Sequence, residues 1–205
     1  MHCRGEREQA IGQCPWCGRE DKFYADPQTG LWDCKVCSES GNAVDFLRKL
    51  AESVTSEERY RPLAEERGIL DWKVPREWGL TVNPLTEEWL VPGYSASGML
   101  VQLYRYTLSL KEGKRFLLAG PIYLDQSGRE VGHALLGMPG YNAKCKEVYL
   151  AEGVWDGMVL AETLRASGVK PSAASVVATP GAGVFPLDWL PLFKGKRLNL
   201  MYDSD

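Results

Sequence analysis

Two Cys-x-x-Cys pairs, Cys14/Cys17 and Cys34/Cys37, stand sixteen residues apart near the start of the chain. Each pair makes a tight knuckle that points two thiolates at one spot, and two knuckles complete the tetrahedron that zinc accepts from sulfur. The sequence between them suits that geometry. Lys22-Phe23-Tyr24-Ala25 reads as a short strand, Asp26-Pro27-Gln28-Thr29-Gly30 as a turn, and Leu31-Trp32-Asp33-Cys34 as the returning strand. A hairpin between two knuckles is a zinc ribbon; the competing reading is a pair of redox motifs or a few buried cysteines. Phe23, Tyr24 and Trp32 suit stacking on unpaired bases, and equally suit the few apolar contacts that a metal-stapled hairpin needs. Cys3, Cys145, His2 and His133 have no ligand spacing to one another or to the pairs.

At 205 residues the chain has room for one ordinary domain with an appendage, or two modest ones. Its 44% apolar and 25% charged content is that of a globular protein. No apolar run approaches the ~20 residues of a membrane span, and the N-terminus has no apolar core of a signal peptide. The expected compartment is therefore a reducing cytoplasm, where clustered cysteines bind metal rather than pair. A net charge of −3 excludes a polycation, so any nucleic-acid surface must be local.

Beyond the ribbon, Ser40-Gly41-Asn42 reads as a break. Ala43 to about Ser53 is a helix with Val44, Leu47, Leu50, Ala51 and Val54 on one face. Thr55-Ser56-Glu57-Glu58 has the form of a capping box opening a second short helix that ends near Gly68, with Pro62 delaying or kinking it. From Trp72 to about Tyr141 the pattern is one of short strands, including Trp89–Tyr94 and Met99–Tyr106. Lys111, Lys114 and Arg115 form one basic cluster, Lys194, Lys196 and Arg197 another; a solvated face is the usual meaning of either.

The last sixty residues carry a second pattern. Glu147–Ala151, Ala173–Ala178 and Arg197–Tyr202 read as strands, separated by a helix from about Trp155 to Ser167-Gly168 and a short helix over Pro186–Phe193. Strand, helix, strand, helix, strand predicts parallel strands with helical crossovers, a doubly wound α/β arrangement. Such folds place their chemistry beyond the carboxyl ends of the strands. Glu152 closes one strand; Asp203 and Asp205 follow another and, by alternation, point the same way. Converging carboxylates need a cation, and hard oxygen ligands suit Mg2+ or Mn2+. Asp156 stands at the start of the helix, where an acid also complements the dipole.

Glu152-Gly153-x-x-Asp156 after one apolar strand and Asp203-x-Asp205 after another resemble the TOPRIM fold of bacterial and phage primases, topoisomerases and some nucleases. At the front, Cys14-Pro15-Trp16-Cys17-Gly18, Cys34-Lys35-Val36-Cys37 and Ser40-Gly41-Asn42-Ala43-Val44-Asp45-Phe46-Leu47 resemble the zinc ribbon of DNA primases. Ribbon followed by TOPRIM is a primase order, and Cys17, where many bacterial primases have histidine, is more like the phage primase or primase-helicase branch. The resemblance implies primer synthesis on single-stranded DNA from nucleoside triphosphates, with the ribbon selecting the start site. Metal held by Glu152, Asp203 and Asp205 would polarise the α-phosphate and activate the attacking 3′-hydroxyl. It implies template and nucleotide contacts by Arg105, Lys111, Lys114 and Arg115, a closing element at Leu135-Leu136-Gly137, and a replicative helicase as partner, separate or in a C-terminal part.

The expected organisation is a zinc ribbon over 1–41, a helical linker over 42–70, a strand-rich primase subdomain over 71–144 and part of a TOPRIM sheet over 145–205. The fold class is α/β, α+β overall. A complete TOPRIM domain continues with another helix, a further strand and usually another acid, so the sequence is expected to be a fragment or a truncated product. It contains no G-x-x-x-x-G-K-[ST] loop. A non-catalytic single-strand-binding or primosome adaptor, and a TOPRIM nuclease, are the alternative functions.

Overall fold

The computed structural model describes residues 2–4, 9–53, 56–83, 86–107, 116–118, 134–181, 185 and 187–203. The first sheet is antiparallel in chain order: β1 (His2–Arg4), β2 (Gln9–Gly12), β3 (Phe23–Ala25), β4 (Trp32–Cys34) and β5 (Ser40–Gly41). The expected hairpin is β3–β4, with Phe23 opposite Cys34 and Ala25 opposite Trp32. The Asp26 carboxylate accepts the Gln28 and Thr29 amides at 2.8 and 3.2 Å, which folds the turn. Three further strands were not expected. One of them, β5, occupies Ser40-Gly41, where the sequence read as a break, and pairs with β4.

Helix α1 (Ala43–Ser53) starts on a reciprocal cap. The Asp45 amide donates to Asn42 Oδ1 at 3.0 Å, and the Asn42 amide donates to Asp45 Oδ2 at 3.2 Å. Gly41 is required beside it, since a Cβ there would lie 2.7 Å from Asp45 Cβ and 3.2 Å from the Trp32 ring. The second helix starts within the expected Thr55-Ser56-Glu57-Glu58 capping box. Ser56 is the N-cap of α2 (Glu57–Glu66) without a side-chain bond, Thr55 lies outside the described residues, and the helix runs through Pro62. A five-residue helix, α3 (Lys73–Glu77), replaces the start of the expected strand region.

The second sheet is antiparallel, in the order β6 (Thr81–Val82), β7 (Trp89–Tyr94), β8 (Leu100–Tyr106) and β9 (Phe116–Leu118). The third holds β10 (Glu147–Ala151), β11 (Ala174–Ala178) and β12 (Arg197–Met201), with α4 (Val154–Ala166) between the first two and α5 (Leu190–Phe193) before the last. Its order is β11-β10-β12 and both pairings are parallel, as the alternating pattern predicts. Leu135 bridges to Tyr94 of β7 and Leu136 to Ala178 of β11, so two consecutive residues tie the second sheet to the third.

Packing follows from this topology. One core joins α2, α3, the second sheet and α4 through Tyr60, Leu63, Val74, Trp78, Val91, Tyr106 and Met158. A smaller one lies on the other face of the parallel sheet, where Val148, Leu150 and Val177 meet Trp189, Phe193 and Cys145. Glu162 of α4 accepts the Leu70 and Asp71 amides, and Arg165 pairs with Glu77, which clamps α4 to α3. Of the basic cluster at Lys194, Lys196 and Arg197, the latter two have structural partners. The Lys196 ammonium donates to the Ala143 and Cys145 carbonyls at 2.5 and 2.8 Å, and Arg197 lies 3.6 Å from the Glu147 carboxylate. Among the described residues no helix is long and apolar enough to cross a membrane.

Gly157 is the closest point between α4 and the rest of the core, because a Cβ there would overlap the Trp78 ring and sit 3.2 Å from Ala178 Cβ. Alanine in a helix interior gains ~1 kcal/mol over glycine, whereas overpacking a core costs ~1–3 kcal/mol. Gly157→Ala is therefore expected to destabilise the protein by about 1 kcal/mol, read from urea unfolding. A stabilised variant would show that Trp78 is free to move.

Candidate functional site

Each cysteine pair sits in the same turn. The Gly18 amide donates to Cys14 O at 2.9 Å and the Ser38 amide to Cys34 O at 3.1 Å, while the Cys14 and Cys34 amides donate to the Arg19 and Glu39 carbonyls. Gly18 and Ser38 occupy equivalent left-handed positions, with φ of 68° and 58°. Two copies of one turn, brought together by β3 and β4, place all four Sγ atoms within 4.8 Å of one another. The distances across the knuckles are 3.8 Å for Cys14–Cys37 and 3.7 Å for Cys17–Cys34. A tetrahedral zinc bonded to sulfur at ~2.3 Å holds its ligands ~3.8 Å apart, so the four residues fit a structural zinc ion.

The electrostatics agree. The Cys37 amide, with the Val36 amide and the neighbouring thiols helping, draws Cys34 down to about 6, while burial pushes Cys14 up to about 12 and raises Cys37. Thiols this close cannot all ionise without a cation among them. Beneath the centre Trp16, Phe23, Trp32 and Phe46 pack ring on ring, with centroids 4.8–6.1 Å apart. Phe23 and Trp32 are buried, and the Trp32 Nε1–H donates to Asn42 O at 2.7 Å. Of the two readings left open for these rings, the core contact is the one realised. Tyr24 is half-buried, with the Lys35 ammonium 5.7 Å from its ring centre.

The carboxylates lie at the far end of the chain, at the carboxyl ends of the parallel strands. Glu152 follows the central strand β10 and Asp203 lies just beyond β12; the Asp203 amide donates to Glu152 Oε2 at 3.1 Å. Asp205 lies outside the described residues. Gly153 is the N-cap of α4 and Asp156 is in its first turn. A Cβ on Gly153 would meet Asp156 Oδ2 at 2.9 Å, so glycine there lets this carboxylate fold back over the strand end. Among the described residues the cysteines form the one group of three or more potential ligands close enough to share an ion. Glu152 and Asp203 meet through the Asp203 backbone amide.

The structure also brings in a residue not singled out from the sequence. Thr179, fully buried just after β11, donates its hydroxyl to Glu152 O at 2.7 Å. Its only sequence signal was a hydroxyl closing an apolar run before Pro180. Arg105 lies on β8, with its guanidinium 3.3 Å from the Glu88 carboxylate. Lys111, Lys114 and Arg115 lie outside the described residues.

The cluster geometry predicts one zinc per chain by metal analysis. Cys34→Ser is expected to lose the ion and, because a structural site contributes folding energy directly, the ribbon's near-ultraviolet dichroism with it. Protons compete for the same thiolates, so acidification releases zinc, and alkaline pH does not. Retention of zinc by Cys34→Ser would place the ion elsewhere.

No protein-family model matches the chain, and no curated protein matches it by sequence. The fold has counterparts among solved structures. The RNA polymerase domain of Mycobacterium tuberculosis primase DnaG is 15% identical, with a TM-score of 0.53 over 79% of this chain and 65% of that one. The Escherichia coli primase catalytic core is 17% identical, with a TM-score of 0.53 over 78% and 61%. A DnaG primase catalytic domain bound to single-stranded DNA is 17% identical, with a TM-score of 0.54 over 79% and 62%. The chain spans a little over three fifths of the length of each of these structures. Over almost four fifths of its own length it has the fold of bacterial DNA primase catalytic domains.

Proposed function

We propose that this chain is the zinc-ribbon and catalytic part of a DNA primase that makes short RNA primers on single-stranded DNA. The observation that carries the reading is the meeting of Glu152 and Asp203 at adjacent parallel strand ends, in a fold shared with primase catalytic domains. One of those domains was solved bound to single-stranded DNA. Glu152, Asp203 and Asp205 are the residues assigned to catalytic Mg2+ or Mn2+, and Asp156 is a neighbouring carboxylate available to bound water. Their oxygen donors suit a hard cation, which when bound would neutralise charge on the triphosphate and acidify the attacking 3′-hydroxyl.

The chain's own groups perform the rest. Glu152 is half-buried, with one carboxylate oxygen engaged by the Asp203 amide, so its orientation is set before any ligand arrives. Arg105, Lys111, Lys114 and Arg115 are assigned to template and nucleotide phosphates. Arg105 would exchange the Glu88 carboxylate for a phosphate, a small cost for a side chain as exposed as this one. The zinc ribbon is assigned to the template. Its rings are spent on its own core, so its contacts would come from exposed polar groups such as Arg19 and Lys22 and from half-buried Tyr24. A replicative helicase remains the partner that the primase reading implies.

A primer assay with single-stranded template, ribonucleotides and Mg2+ or Mn2+ tests this. RNA products are expected from the full chain. Asp203→Ala should lower synthesis roughly a hundredfold or more, the scale of removing a group that stabilises charge at a reacting centre, with zinc content unchanged. Gel shift of single-stranded DNA without synthesis would make the chain an adaptor, and template cleavage would make it a nuclease.

A further inference from the structure

Glu152 sits where the regular hydrogen-bond ladder of the parallel sheet breaks. Its amide donates to Met201 O of β12 at 3.2 Å. In a strand that continued, its carbonyl would face the same neighbour, because N–H and C=O of one residue point to the same side. Instead the Glu152 carbonyl turns the other way, towards β11, and accepts the Thr179 hydroxyl at 2.7 Å. The Thr179 amide is already used on Ala151 O at 3.0 Å, and the next residue, Pro180, has no amide to give. Thr179 is 0% exposed, so water does not replace it. Gly181 O lies 3.0 Å from the same hydroxyl, but one proton serves one acceptor at a time, and Glu152 O is the nearer.

We infer that Thr179 is a positioning residue for the Glu152 carboxylate. Its hydroxyl holds the Glu152–Gly153 peptide in the turned orientation, which directs the side chain to the β12 side, where Oε2 meets the Asp203 amide. No backbone group can take over this role, because the donor must reach sideways from β11 at the point where proline ends the ladder. The step is local to the sheet. Its consequence for cation binding rests on the primase reading above.

The test uses the full chain and two measurements. Amide hydrogen exchange at Asp203 reports the Glu152–Asp203 contact directly, with no metal present. Titration with Mn2+ alone reports the cation site. Thr179→Val, which keeps the shape and removes the hydroxyl, is expected to speed Asp203 exchange about fivefold, the worth of one ordinary hydrogen bond. It should weaken Mn2+ binding about tenfold, as loss of a group that orients a ligand does, with one zinc per chain retained. Thr179→Ser should behave as the unmodified chain and Thr179→Cys should fall between, since a thiol is a weak donor. That ordering decides the matter even if Thr179→Val does not fold. Unchanged Asp203 exchange in Thr179→Val, or exchange in the serine and cysteine variants that does not follow donor strength, overturns the proposal. If exchange follows that order while Mn2+ binds the full chain and Asp203→Ala alike, the positioning role stands and the metal reading falls.

Discussion

The central strand β10 is hydrogen-bonded along both edges by strands that run parallel to it, and the arrangement of the candidate catalytic end depends on that pairing. With all three strands in the same direction, the residues that follow them leave the sheet on one side: Glu152, Thr179 and Asp203. An antiparallel β12 would put Asp203 at the opposite end, ~17 Å away for five residues. Parallel neighbours need crossovers, and α4 can make its crossover only by pressing closely on the core. Gly157 lets it approach Trp78, and Gly137 does the same for the linking segment, since a Cβ there would lie 2.8 Å from the same ring. Trp78 is thus a wedge between α4 and the linking segment Leu135–Gly137, whose two bridges join the second sheet to the third.

The ribbon solves a different problem. Its buried core consists of Cys14, Phe23, Trp32 and Cys34, with Trp16, Ala25, Cys37 and Phe46 packed beside them, too little apolar area to offset the ordering of some thirty residues unaided. Two identical turns and a hairpin gather four sulfurs at the spacing of a zinc tetrahedron, and the free energy of metal binding then becomes folding free energy. The aromatic rings complete the staple. Phe46, from the first turn of α1, enters the ring cluster, so the same contacts that hold the ribbon also fix how its helix leaves.

How much of this was legible in the sequence follows from how local each signal is. The cysteine pairs, the β3–β4 hairpin, α1, and the β10, β11 and β12 strands all announce themselves through spacing or apolar runs within a few residues. Helix α3 does not. It has five residues including Pro75, shorter than the two turns over which a helical period becomes visible. Strands β1, β2 and β5 are two to four residues long and, apart from Ile11, polar or small, so they exist by pairing rather than by propensity. The cap of α1 was present as Asn42-x-x-Asp45, whereas the more familiar Thr55-Ser56-Glu57-Glu58 pattern drew the expectation, and its Ser56 makes no side-chain cap bond. Thr179 was invisible for a deeper reason. Its role is a hydrogen bond between strands 27 residues apart, created by a peptide that turns against the ladder.

The carboxylates at the strand ends differ in their charge partners from the ion-paired acids of the fold. Several acids elsewhere have structural work: Glu39, Asp45, Glu57, Glu77, Glu88 and Glu147 pair with Lys49, Arg48, Arg61, Arg165, Arg105 and Arg197, and Glu162 takes two backbone amides. Among the described residues no lysine or arginine pairs with Glu152, Asp156 or Asp203. The nearest basic side chains along the sheet, Lys196 and Arg197, belong to the start of β12, a full strand length from Asp203. A fold that needed these acids only for solubility would gain by placing one of those cations beside them, since like charges at one edge repel. Among the described residues, Lys196 and Arg197 stand at the amino end of β12, while Glu152 and Asp203 stand without an ion pair at the carboxyl ends. One backbone amide, that of Asp203, and one buried hydroxyl, that of Thr179, donate to Glu152. This distribution is what the cation role proposed above for Glu152 and Asp203 requires.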